Sequence, residues 1–229
     1  MVEELKEKVF KANLDLVKHG LVLFTWGNVS EIDRSKNLIV IKPSGVSYDT
    51  MKASDMVVID FDANIVDGNL KPSSDAATHI ELYKTFPEIG GIAHSHSTYA
   101  TAWAQAGRNI PIIGTTHADY SSHDIPCSTD LLSEQIEGSY EMETGRTIIE
   151  TLEDINYEHI PGVLVKNHGA FTWGKDANSA VFHSVVLEEV AKMAYLTFNI
   201  NPEAIMDKEL VKKHFDRKHG NGAYYGQND

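Results

Sequence analysis

From Leu21 onward the chain alternates short apolar stretches, broken by turn residues, with longer stretches of helical period. The alternation continues with no internal repeat, low-complexity tract or linker, which confines the chain to an α/β fold in a single domain over residues 1–229. Ahead of it, Leu5, Val9, Ala12, Leu16 and His19 recur at three- and four-residue spacings and stop at Gly20, predicting an amphipathic helix over 3–19. Leu21–Trp26, Leu38–Ile41 and Met56–Phe61 read as strands, with Asp62-Ala63-Asn64 as a hairpin turn. Ser73-Ser74-Asp75 carries the start signal of a helix over Ala76–Phe86 that Pro87 ends. Gly91–His96 reads as a strand, and Thr98–Ala106, Thr129–Glu137 and Thr144–Asp154 read as helices. Residues 162–174 form two strands around a His168-Gly169 turn, followed by helices over Ala177–Phe198 and Lys208–Lys218.

Charge narrows the partners. Twenty basic residues stand against 33 acidic ones, a formal charge of −13, and no basic stripe exists to follow a phosphate backbone, so nucleic acid is not an expected partner. No apolar run reaches the roughly 18 residues of a membrane span. The charged segment Met1–Lys8 is unlike a secretory signal. The single cysteine, Cys127, allows no intramolecular disulfide framework, and a cytoplasmic location is the default expectation.

Histidine is the unusual component, 11 in 229 residues, so a metal would be met by imidazoles and carboxylates. On a strand, His94-Ser95-His96 puts both rings on one face. Random placement would itself give about 0.5 such pairs, so the pair alone is a weak signal. His168 strengthens it, because it sits where an apolar strand meets a turn, and three imidazoles leave an open coordination position for substrate. Two stretches suit an anion. Lys42-Pro43-Ser44-Gly45 combines a cation, a hydroxyl and a close-approach glycine, and Ser73-Ser74 opens a helix whose free N–H groups favour phosphate. An ordinary turn and an ordinary N-cap explain them equally, as a first-turn acid explains Asp75. His117-Ala118-Asp119-Tyr120 reads as a loop, and Ala223–Gln227 as a tail packed on a neighbour.

Seven segments together say more: Thr25-Trp26-Gly27-Asn28-Val29-Ser30, Ile41-Lys42-Pro43-Ser44-Gly45-Val46, Lys71-Pro72-Ser73-Ser74-Asp75, Gly91-Ile92-Ala93-His94-Ser95-His96, Thr115-Thr116-His117-Ala118-Asp119-Tyr120, Asn167-His168-Gly169 and Tyr224-Tyr225-Gly226-Gln227. In this order they closely resemble the class II aldolase family, which includes the adducin head, and within it the pentulose-phosphate 4-epimerase branch, over residues 1–227. The resemblance implies an α/β/α layered fold with a central, mainly antiparallel sheet. It also implies a zinc site made by His94, His96 and His168 with Asp75 close by, though manganese or cobalt would suit the same donors. The substrate phosphate would be held by Gly27, Asn28, Lys42, Ser44, Gly45, Ser73 and Ser74. Asp119 and Tyr225 would be the acid/base pair, supported by Thr115 and His214, in a homotetramer whose active sites lie at subunit interfaces.

The implied reaction interconverts L-ribulose 5-phosphate and D-xylulose 5-phosphate, with arabinose breakdown as the expected setting. The hydrogen on carbon 4 is not acidified by a carbonyl at carbon 2, so inversion there requires breaking and remaking the bond between carbons 3 and 4. One residue takes the proton of the carbon-4 hydroxyl and another, on the opposite face, returns one. The same machinery that releases its fragments is an aldolase of the fuculose- or rhamnulose-phosphate type. Family aldolases carry glutamate where this chain has Asp75. The adducin head, a non-catalytic relative, lacks the three histidines present here.

Overall fold

The computed structural model describes residues 2–221 together with Ala223 and Tyr224. Among these, seven strands form one antiparallel sheet: β1 Asn28–Asp33, β2 Leu38–Ile41, β3 Val57–Ile59, β4 Ile65–Asp67, β5 Gly91–Ser95, β6 Gly162–Val165 and β7 Gly169–Gly174, in the order β4-β3-β2-β1-β5-β7-β6. The helices are α1 Val2–Lys18, α2 Ala76–Thr85, α3 Thr98–Gln105, α4 Thr115–Ala118, α5 Ser133–Glu137, α6 Tyr140–Thr151, α7 Ala177–Ile200 and α8 Lys208–His219. None is long and apolar enough to cross a membrane.

Strand alternation sorts the core into layers. Ile39 and Ile41 of β2, Val57 and Ile59 of β3 and Ile92 of β5 face α2 and α6, where Ile80, Tyr83 and Ile148 close the cluster. Val40, Val58, Val29 and Ala93 face the other way, against Val9, Ala12 and Leu16 of α1 and Ala180 and Val181 of α7. A third cluster joins Trp103 of α3 and Leu187 of α7 to Leu164 and Ala170 on the β6–β7 side. The layered α/β/α architecture is the one expected.

Several boundaries differ from the expectation. Leu21–Trp26 is a loop, not a strand. Gly20, at φ 69°, ends α1 in the left-handed conformation, and the Leu21 N–H bonds back to the Leu16 carbonyl at 3.0 Å. Leu21 and Val22 then bury as anchors beneath α1, while Leu23, Phe24 and Trp26 project outward. The first strand is instead Asn28–Asp33, which reads as polar although it is buried, and Ser30 and Glu31 are partnered there. Ser30 Oγ meets His79 Nδ1 at 2.7 Å and the Tyr83 hydroxyl at 2.8 Å, and Glu31 accepts from the Ala177 N–H at 2.9 Å. The helix expected over Thr129–Glu137 shortens to α5, the one expected at Thr144 begins at Tyr140, and a single helical turn, α4, replaces the expected loop at His117.

β1 is central and pairs on one side with β2 and on the other with β5, with Asn28 opposite His94 and Ser30 opposite Ile92. The register sets the ends of these strands side by side, where the loops around them meet.

Candidate metal centre and substrate cavity

Three imidazoles converge at the C-terminal end of β5. His94 lies in the strand, His96 just beyond it, and His168 in the turn before β7, where Asn167 takes the left-handed conformation at φ 61°, a geometry asparagine tolerates. One ligand atom from each histidine lies within 4.8 Å of the others. Gly169 lets the third ring approach, since a Cβ there would sit 2.7 Å from the Ser95 carbonyl oxygen and 2.9 Å from His96 Cδ2. Phe171 stacks under His94 with ring centroids 4.2 Å apart.

Hydrogen bonding assigns the protons. His94 Nδ1 stands 2.9 Å from the Ala170 carbonyl oxygen, which can only accept, so Nδ1 carries a hydrogen and Nε2 is the atom turned to the other two rings. His96 Nε2 stands 3.0 Å from His94 Nε2. Burial, and then the neighbouring His94, pull His168 down to about 4, and the same causes lower His96. At neutral pH these two rings are therefore uncharged, the state that ligates a cation. Three imidazoles, one of them oriented by an outer carbonyl, fit a divalent ion of the zinc type.

Asp75 stands at the start of α2 with Oδ2 4.0 Å from His94 Nε2, outside the three-histidine set but beside it. Burial opposes its ionisation; the facing His94, His79 and His168 and the Asn28 amide, which donates to Oδ2 at 2.6 Å, outweigh burial and hold the carboxyl below its usual range.

These groups open into a cavity of about 330 Å³. Its walls contain every residue expected to hold phosphate, Gly27, Asn28, Lys42, Ser44, Gly45, Ser73 and Ser74, together with Asp75 and the three histidines. Gly27 is required at the bottom of the loop: its φ is 72°, and a Cβ would meet the His94 carbonyl oxygen at 2.7 Å. Lys42 is almost wholly buried. Its ammonium donates to the carbonyls of Val46 at 3.0 Å and of Thr25 and Pro43 at 3.3 Å, tying the two cavity loops together, and burial pulls its pKa to about 8.

The expected acid/base group lies elsewhere. Asp119 caps α4 and does not line the cavity; Arg217 grips both its carboxylate oxygens, Nε to Oδ1 at 2.8 Å, and His214 Nδ1 lies 2.9 Å from Oδ1. The structure thus brings the expected support His214 to Asp119, both on the α4–α8 side, while Thr115 is exposed at the start of α4. Tyr225 lies outside the described residues. Two features had no signal in the sequence: the buried His79–Ser30–Tyr83 chain behind Asp75, and Tyr140, whose hydroxyl stands 3.3 Å from His168 Nδ1.

The fold has known counterparts. An L-fuculose 1-phosphate aldolase is 27% identical, with 93% of this chain and 95% of that chain covered at a TM-score of 0.79. The L-fuculose 1-phosphate aldolase from Glaciozyma antarctica PI12 is 21% identical over 94% of this chain and 81% of its own, with a TM-score of 0.75. The L-fuculose-1-phosphate aldolase from Thermus thermophilus is 20% identical over 87% of this chain and 97% of its own, with a TM-score of 0.69. The signature of the family described as "Class II Aldolase and Adducin N-terminal domain" matches residues 7–195, and the chain belongs to that family.

Proposed function

We propose that the protein is a metal-dependent sugar-phosphate enzyme that breaks and remakes the bond between carbons 3 and 4 of a phosphorylated ketopentose, epimerising L-ribulose 5-phosphate to D-xylulose 5-phosphate. The observation that carries this reading is the sharing of one cavity by three converging imidazoles and a phosphate-type cradle. His94, His96 and His168 would hold a divalent ion, zinc by preference, which when bound supplies Lewis-acid charge beside the developing oxyanion. The hydroxyls of Ser44, Ser73 and Ser74 and the loop at Gly45 would bind the phosphate, keeping the aldehyde fragment in place while it turns. Among the described residues, the cavity walls contain Asp75 but neither Asp119 nor a tyrosine, so a second copy of the chain would supply Asp119 and Tyr225 in an oligomer of the expected four-fold kind.

The second reading is an aldolase that releases its fragments, favoured by the 27% identity to an L-fuculose 1-phosphate aldolase. Asp75, one methylene shorter than glutamate, supports the epimerase.

The deciding experiment offers the purified protein both substrates. Xylulose 5-phosphate from ribulose 5-phosphate in deuterated water, with no deuterium at carbon 4, supports epimerisation through bond cleavage. Stoichiometric free dihydroxyacetone, or efficient cleavage of fuculose 1-phosphate, favours the aldolase, and deuterium at carbon 4 refutes the cleavage route.

A further inference from the structure

We infer that Tyr140 is a positioning residue of the metal centre, its hydroxyl holding His168 in the tautomer whose Nε2 lone pair is free for the ion. The inference rests on the metal reading above and adds to it a residue outside the cavity walls.

The three candidate ligand rings are oriented differently. His94 is fixed through Nδ1 by the Ala170 main chain, a partner that no side-chain substitution removes. Among the described residues, His96 makes its ring hydrogen bond to His94 itself. His168 has a side chain behind it: Tyr140 Oη lies 3.3 Å from Nδ1, with the two rings 6.2 Å apart and tilted by 30°.

That hydroxyl can either accept from Nδ1–H or donate to a bare Nδ1, and the two states differ for the metal. Acceptance places the ring hydrogen on Nδ1 and leaves Nε2 as the lone pair. Donation to Nδ1 puts the hydrogen on Nε2, where it blocks ligation. Only acceptance matches His94, whose carbonyl partner enforces the same proton placement, and the usual arrangement in which a metal-bound imidazole donates its other N–H outward.

The tyrosine is held to the task. It is the first residue of α6, and the buried Thr78 hydroxyl of α2 donates to the Glu141 carbonyl at 2.6 Å, pinning that end of α6 to the helix that begins beside Asp75. Thr144 Oγ1 donates to the Tyr140 carbonyl at 2.9 Å, closing the first turn. Tyr140 thus links the His168 turn to the α2–α6 pair without entering the substrate cavity.

The test compares the full-length protein with Tyr140→Phe, which keeps the ring and removes the hydroxyl. Competition against a fluorescent zinc chelator should give roughly 10–100-fold weaker zinc binding for the variant. Long-range 15N–1H NMR of the metal-free wild type should find His168 protonated at Nδ1, and the variant should shift toward Nε2–H. Equal zinc affinity in both proteins, or an Nε2–H tautomer in the wild type, overturns the inference while leaving the metal reading intact. A wild-type protein that takes up no zinc overturns both. The wild-type tautomer decides the matter even where the variant folds poorly.

Discussion

His94 and His96 point their Nε2 atoms at each other across 3.0 Å. Two ligands of a tetrahedral zinc ion, each about 2.05 Å from the metal, stand about 3.3 Å apart, so the pair lies a few tenths of an ångström inside ligating distance. Both rings ligate through Nε2 only when each carries its hydrogen on Nδ1. His96→Asn should therefore retain the fold, lose stoichiometric metal and lose most turnover. Metal analysis and a melting curve on the same sample check this; full metal content in the variant would remove His96 from the ligand set.

Gly169 is predicted to tolerate no side chain. The Cβ of Gly169→Ala would press on the Ser95 carbonyl and the His96 ring, forcing β5 and β7 apart where the ligands meet, at a cost of about 1–3 kcal/mol. Metal affinity should fall more steeply than the melting temperature, because the crowding is centred on the ligands. Chelator competition beside thermal melting separates the two.

Acid should unfold the protein through its buried neutral imidazoles. Burial pulls His79 to about 3, so between pH 6.5 and 3 the unfolded chain binds a proton that the folded chain refuses. Stability then falls as pH drops through this window, by about 1.4 kcal/mol per unit from this ring. His117 and His183, both pulled by burial to about 4, add to the slope over a narrower range. His79→Gln should flatten the dependence between pH 6.5 and 4, measured by urea denaturation at several pH values; an unchanged slope would show that His79 is protonated in the folded state.

Asp119 is predicted to enter the reaction ionised. Burial favours its neutral form, but Arg217, then His214 and Lys218, outweigh burial and hold it below the ordinary carboxylate range. Asp119→Asn should cost about 10²–10⁴ in kcat with metal content unchanged. Arg217→Ala should move the acidic limb of the kcat/KM profile to higher pH, since the carboxylate loses its bidentate partner. A profile that does not move would separate Arg217 from the proton transfer.

Most helices were legible because each carries its own period and stop signals, as α1 does with Leu5, Val9 and Leu16 before Gly20. The His168-Gly169 turn was legible because two apolar strands flank it. β1 was not: Asn28, Ser30 and Glu31 are buried in a central strand, and the partners that make this tolerable come from α2 and α7. Loop 21–26 misled for the opposite reason, since its apolar residues divide between anchors beneath α1 and side chains exposed near the cavity. The cavity residues lie in short contiguous segments that the family resemblance joins, whereas Tyr140 meets a histidine 28 positions away and Asp119 one 95 positions away, pairings that no short pattern encodes.

The pairing of Asn28 with His94 across β1 and β5 makes the sheet itself a ruler. A cradle residue and a candidate metal ligand are set one strand apart, about 4.8 Å in the hydrogen-bonding direction, by main-chain bonds that no single side-chain replacement alters. On the proposed reading, the number of carbons that fits between a phosphate and a reacting carbonyl is a property of the ladder. Reshaping the cavity wall could change which hydroxyl configurations are accepted, but accepting a longer or shorter sugar would require a shift of register, which moves in steps of a residue and turns every side chain of the strand to the opposite face.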